Sequence, residues 1–465
     1  MKNRDRLMWA FGEIANYVDL FSKQKCKVID HQKSGEIQKM LSLQSSEDAW
    51  KILKSYLQMS VKSGHRHFFN QLYGGLEMSA LIAEFFSIVN NVSTATYEMS
   101  PLSTQMERIA VQKMLGFAGM KRGEGMIVPG GSYANMFSML VARNRLLAKC
   151  KGAGLRQRLL LFVSASAHYS FERAANTLGI GTNNVIKVAT DDEGRMIPED
   201  LNEKIEKARG GTAFYIGATA GTTVEGAIDP LIEIAKIARK HRLWLHVDGA
   251  IGASLLLSPK RKKELQGIAS ADSLTWDAHK AMGVPLTCSL ILFKKKGGMR
   301  SAVGGSEGDY LFHHPRQDDI GTHSLQCGRR ADGVKLWMLL KVLGERGLAL
   351  RVEYLLSLAA YAAARVKQEQ KLQLLLAHEH AFGICFRYNP NRSESKTARK
   401  LKQLNQLNIQ IREEVVKEGK FLLNYASIKG SVVLRPMFLN PLTTKADIDE
   451  MIDKILDLGR KLAKI

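Results

Sequence analysis

Three short apolar runs constrain this chain most: Leu159–Val163, Ala213–Gly217 and Leu243–Val247. Each has the length of a buried strand and is too short for a buried helix. Between the last two lies Leu231–His241, apolar at helical spacing and introduced by Asp229-Pro230. A strand, a helix and a second strand in that order make the repeating unit of a mostly parallel sheet with helices on both faces. Ser289–Phe293 reads as a further strand, ending at a Lys/Gly turn. The expected fold class is therefore α/β.

The flanks read differently. Residues 1–60 carry Phe11, Ile14, Val18 and Phe21, then Ile52, Tyr56 and Met59, at helical spacing. They predict a helical arm with no chemistry of its own. Residues 61–340 hold the strand and helix alternation and predict a large domain. Residues 341–465 predict a small α+β domain: a helical pattern over Leu348–Gln368, then strands, then a terminal helix with Ile448, Ile452, Ile455 and Leu456 on one face. The polar stretch Asn389–Lys396 reads as a surface loop.

Composition removes several function classes. No apolar run reaches the ~18 residues of a membrane span, and the charged start Met1–Arg6 lacks a secretory core. A cytoplasmic location is expected. Five scattered cysteines (Cys26, Cys150, Cys288, Cys327, Cys385) form no CxxC pair, so reduced thiols are expected rather than a metal site or a disulfide framework. The net charge of +22 would attract anions, but its lysines are dispersed in small clusters without a nucleic-acid motif, and nucleic acid is not an expected partner.

The chemistry-bearing residues lie at strand ends. Leu243–Val247 leads into Asp248, and ligands of open α/β sheets bind at the carboxyl ends of strands. A carboxylate there can pair with a pyridinium nitrogen, or simply cap the next helix. Ala250 is small enough to lie under a flat ring. Pro129-Gly-Gly-Ser-Tyr-Ala-Asn135 precedes an amphipathic helix, and glycines at a helix start offer backbone N–H groups to a phosphate. Ala218–Thr223 supplies hydroxyls after another strand. Trp276-Asp-Ala-His-Lys280 places a lysine after a histidine, which alone far more often describes a surface lysine.

Taken together, these segments resemble the group II pyridoxal 5′-phosphate (PLP) dependent decarboxylases, the family of the animal glutamate, cysteine sulfinate and aspartate decarboxylases. The resemblance runs from about Gly64 to the C-terminus, through His67–Leu72, Thr96–Glu98, Pro129–Gly131, His168–Ser170, Gly179–Thr182, Ala218–Thr223, His246–Asp248, His279-Lys280 and Leu325–Arg329. It implies PLP fold type I, and a homodimer with active sites at the subunit interface. It implies that Lys280 carries PLP as a Schiff base, that Asp248 pairs with the ring nitrogen, and that Ala250 and His168 cover the two ring faces. Gly131, Ser132 and His279 correspond to the phosphate site, Asp277 stands beside it, and Thr223 matches a hydroxyl near the cofactor. Gln71 and Tyr73 fall where acidic-substrate enzymes line the pocket. Arg435 matches the arginine that holds a substrate carboxylate, a task suited to its planar fork. No metal is implied.

The implied activity is α-decarboxylation of an L-amino acid, acidic by the Gln71 context. The alternatives are an aromatic-acid decarboxylase, a PLP aldehyde synthase, or a catalytically silent partner of the same fold. Two departures stand out. The family has Asn-Pro where this chain has Asp277-Ala278, so a carboxylate beside a phosphate must point away or be matched by a basic neighbour. The stretch between Tyr310 and Cys327 is short and lacks the tyrosine that protonates Cα in relatives. His313, His314 and His323 are the nearby candidates for that proton.

Overall fold

The computed structural model describes residues 3–29, 34–42, 46–304, 310–312, 318–390 and 397–463. The chain divides into two compact units. One is Leu76–Glu353. The other joins Met1–Gly75 to Tyr354–Ile465. In chain order the strands are β1 (Phe68–Phe69), β2 (Glu124–Val128), β3 (Leu159–Ser164), β4 (Val185–Val188), β5 (Thr212–Thr219), β6 (Trp244–Asp248), β7 (Ser273–Asp277), β8 (Ser289–Phe293), β9 (Leu372–Leu376), β10 (Cys385–Tyr388), β11 (Leu422–Ile428) and β12 (Ser431–Arg435).

The unit Leu76–Glu353 is built on a sheet of order β2-β8-β7-β6-β5-β3-β4. Only β8 runs against its neighbours. The three apolar runs became β3, β5 and β6, and the helix between β5 and β6 spans Leu231–His241. Strands covered on both faces need no polar alternation, which is why β3, β7 and β8 are buried at every position. On one side Phe137 and Val141 of helix Gly131–Leu146 pack on Met126, Val128, Ile291 and Phe293. Parallel strands bring their carboxyl ends to one edge: Val128, Ser164, Thr219, Asp248 and Asp277. Ser289, where β8 begins, pairs with Asp277 there.

The other unit has a sheet of order β1-β11-β12-β10-β9, in which β1 pairs parallel with β11. β11 and β12 form a hairpin whose two loop residues, Lys429 and Gly430, both have positive φ, as a two-residue type I′ turn requires. Phe69, Leu423, Leu434 and Phe438 pack against Ile411, Val415, Ile448 and Ile452 of two long helices, Ala398–Glu418 and Lys445–Leu462. Thr444 and Asp447 close a capping box at the start of the second. The helical pattern expected over 348–368 lies in the longer stretch Gly333–Gln368, which is broken at Gly344 (φ 60°, ψ −175°). That stretch is long and apolar enough to span a membrane by composition. However, Leu336, Leu339, Leu348, Val352, Leu355 and Val366 on it are buried in protein, as in a core helix.

Candidate active site

At the carboxyl edge of the large sheet, β6 and β7 each end in an acid. Asp248 is 5% exposed. Its Oδ2 accepts from Asn135 Nδ2 at 2.8 Å, and its Oδ1 accepts from the Ala250 backbone N–H at 3.1 Å. Asp277, 2% exposed, accepts from Ser289 Oγ at 2.5 Å. It pairs with Lys280 Nζ at 3.1 Å, and His279 Nε2 stands 3.7 Å away. Asp277 therefore does not point away from the site. A methyl group on Gly131 would lie 2.8 Å from its Oδ2, so the carboxylate sits at the first turn of helix Gly131–Leu146. The basic neighbour that compensates it is Lys280.

Helix Gly131–Leu146 starts where β2 turns at Gly130 (φ 109°). Its first N–H groups have no carbonyl a turn behind them. Gly131 and the exposed Ser132 form that open end. His168 lies after β3, and Ser170 opens the following helix, Ser170–Thr177. The Ser170 backbone N–H donates to His168 Nδ1 at 3.3 Å, which leaves the neutral ring's proton on Nε2. Burial holds the His168 imidazole below its ordinary range, against the opposing pull of Asp248. His279 is likewise pushed down by burial, and its Nδ1 accepts from the Cys288 N–H at 3.2 Å. Thr223 lies in the half-buried turn after β5. The unit Leu76–Glu353 thus contains nine of the expected site residues: Gly131, Ser132, His168, Thr223, Asp248, Ala250, Asp277, His279 and Lys280.

Gln71, Tyr73 and Arg435 belong to the other unit. There the pairing of β1 with β11, and of β11 with β12, closes a long sequence gap. Arg435, 6% exposed, donates from Nη2 to the Asn70 carbonyl at 3.4 Å, and Asn70 Nδ2 donates to Gln71 Oε1 at 2.7 Å. Tyr73 packs its ring 5.8 Å from that of Phe68. The segment is tied down just upstream. Asp447 takes both Arg66 Nε (2.9 Å) and Nη2 (2.7 Å) on one oxygen and His67 Nε2 (2.9 Å) on the other.

Sequence reasoning assigned no part to Asn135, Ser170, His246, Thr275 or Ser289. Asn135, Ser170 and His246 stand inside quoted motifs, but only the fold shows that they surround the two acids. Of the proton-donor candidates, His313 and His314 lie outside the described residues. His323 ends a short turn, Ile320–His323, and is half-buried.

A family model described as the pyridoxal-dependent decarboxylase conserved domain matches residues 31–389. The chain belongs to that family. It is an enzyme of the carboxy-lyase class and depends on PLP. It is 39% identical to human acidic amino acid decarboxylase GADL1, covering 94% of this chain and 87% of the relative. It is 35% identical to mouse cysteine sulfinic acid decarboxylase, with 94% and 92% covered. The crystal structure of mouse CSAD superposes with a TM-score of 0.92 at 34% identity, over 97% of this chain and 98% of that one. Rice TDC with PLP and tryptamine shares the fold at 21% identity and a TM-score of 0.89. The site fits the cofactor. Asp248 offers an acceptor-only carboxylate for a ring N–H, and helix Gly131–Leu146 begins at the same sheet edge, where a helix N-terminus suits a phosphate and Lys280 balances the charge of Asp277.

Proposed function

We propose that this enzyme removes the α-carboxylate of a small acidic L-amino acid, such as aspartate, cysteine sulfinate or glutamate, as CO2 and releases the amine. The observation that carries the acidic assignment is similarity over nearly the whole chain to decarboxylases named for acidic substrates. The buried arginine Arg435, bridged through Asn70 to Gln71, supports it. A guanidinium already desolvated by the fold gains most from a carboxylate partner.

PLP, when bound, supplies an electron sink for the pair left on Cα as CO2 departs. The residues of the chain then have distinct tasks in this reading. Lys280 would hold the cofactor covalently through its ε-amine. Asp248 keeps the ring nitrogen protonated, because a carboxylate can only accept. His168 and Ala250 would flank the ring, and a neutral His168 would avoid placing a second positive charge against it. Ser132 and the N–H groups at Gly131 take the phosphate, with His279 and Thr223 beside it. In the other unit, the buried guanidinium of Arg435, tied through Asn70 to Gln71, is suited to a carboxylate. Positioning of this kind raises the rate chiefly by removing the entropy of encounter.

The same reading makes the enzyme a cytoplasmic homodimer. Ile82, Phe86, Val89, Leu102 and Ile109 project exposed from helices Met78–Asn90 and Pro101–Phe117, and an apolar face of this kind suits a second copy. Buried cysteines outside any disulfide, Cys150 and Cys288, suit a reducing compartment. The test is an amino-acid panel in which CO2 and amine are both quantified. Amine equal to CO2 from an acidic substrate supports the proposal. CO2 without matching amine indicates the aldehyde route, and turnover of aromatic acids alone rejects the acidic assignment.

A further inference from the structure

We propose that Asn135 is a positioning residue that orients Asp248 as a hydrogen-bond acceptor, at the end of a buried hydrogen-bond chain that begins at Trp244. The inference rests on the reading of Asp248 as the partner of the cofactor's ring nitrogen.

Alternate residues of a strand share a face. Trp244, His246 and Asp248 therefore line one face of β6, and Ser273, Thr275 and Asp277 line the same face of β7. The register places His246 beside Ser273 and Asp248 beside Thr275. A covered face of a parallel sheet is normally apolar. Here it is polar, with His246, Ser273 and Thr275 fully buried and Asn135 of the covering helix 1% exposed. Leaving one such group unpaired costs roughly 1–3 kcal/mol, so the bonding pattern is tightly restricted.

One donor pattern satisfies both ends of the chain: Trp244 can only donate, and the Asn135 amide oxygen, turned from Asp248, can only accept from His246. An indole N–H can only donate, and Trp244 Nε1 gives its proton to Ser273 Oγ at 2.9 Å. The Ser273 hydroxyl proton is then free for His246 Nδ1 at 2.8 Å. His246 is held neutral, its pKa pushed down to about 3 by burial. With Nδ1 accepting, its one proton sits on Nε2, which donates to Asn135 Oδ1 at 3.0 Å. Thr275 Oγ1 donates to the same oxygen at 2.8 Å. The amide of Asn135 is thereby oriented with Nδ2 outward, toward Asp248 Oδ2 at 2.8 Å and Ser170 Oγ at 2.9 Å. The reverse amide would set oxygen against carboxylate oxygen and nitrogen against the His246 N–H. Each link therefore donates toward Asp248, and the carboxylate reaches the site as an acceptor.

The test uses the holoenzyme and two variants. Asn135→Asp is isosteric and replaces the donor with an acceptor facing Asp248. Loss of a hydrogen bond to a charged group is expected to weaken PLP binding by about tenfold or more. It should also alter the visible absorbance of the bound cofactor, and lower kcat far more than it changes KM. Ser273→Ala removes only the link that dictates the His246 tautomer, well away from the cofactor. It should move the same spectrum and kcat in the same direction by a smaller factor. An Asn135→Asp enzyme that melts like wild type and keeps wild-type PLP affinity, spectrum and kcat overturns the proposal. Should that variant not fold, Ser273→Ala decides: an unchanged spectrum and kcat overturn the proposal, and a matching shift supports it. A wild-type protein without any cofactor band sinks the proposed function itself and this inference with it, an outcome plainly different from a variant that behaves like wild type.

Discussion

Replacing Gly131 with alanine tests the structure of the anion cradle. The added carbon would lie 2.8 Å from Asp277 Oδ2 and 2.9 Å from Oδ1, closer than carbon and oxygen approach without strain. The carboxylate has little freedom to retreat, because Ser289 Oγ holds it at 2.5 Å and Lys280 Nζ at 3.1 Å. Overpacking of this kind costs about 1–3 kcal/mol, and weakening a bond to a charged group costs a similar amount. We predict that the apoprotein loses about 2 kcal/mol on Gly131→Ala, taken from the middle of those ranges. The assay is the first unfolding transition of the apoprotein in urea, measured in a double-mutant cycle with Asp277→Ala. In the Asp277→Ala background the clash partner is gone, and Gly131→Ala should cost almost nothing. Equal costs in both backgrounds would refute the placement of Asp277 against the helix start.

Three further outcomes follow from the same geometry. His246 ionises near 6.5 when unfolded and only at about 3 when buried, so it takes up a proton in the unfolded chain first. Its contribution to stability is complete above pH 6.5 and is lost as pH falls toward 3. The gap is worth about 5 kcal/mol, and acid unfolding of His246→Gln should be flatter over that window. Asp447→Asn leaves Arg66 and His67 without their buried partner. It should cost about 3 kcal/mol, with faster proteolytic cleavage in the segment that carries Gln71. Arg435→Lys keeps the charge but loses the planar fork, so KM for the acidic substrate should rise about tenfold with the melting temperature little changed. An unchanged KM would remove Arg435 from the substrate site.

What was legible in sequence was whatever chain order preserves. Apolar runs of strand length predicted β3, β5, β6 and β8 to within a residue or two, because full burial on both faces demands unbroken apolar sequence. Asp248 was legible because it ends such a run. Asn135 was not, since its meaning depends on a helix laid across β6 and β7, which no local pattern encodes. The link from Arg435 to Gln71 was hidden for the same reason, as two strand pairings create it. Asp277 was noticed as an oddity, but its partner Ser289 belongs to an antiparallel neighbour and could not be foreseen.

The central claim is that this chain works through PLP held on Lys280. The direct measurement is borohydride reduction of the purified holoenzyme, followed by peptide mass analysis. The account predicts a pyridoxyl group on Lys280 and its disappearance, together with the visible cofactor band, in Lys280→Ala. A modified lysine elsewhere, or a cofactor band that survives Lys280→Ala, would contradict it.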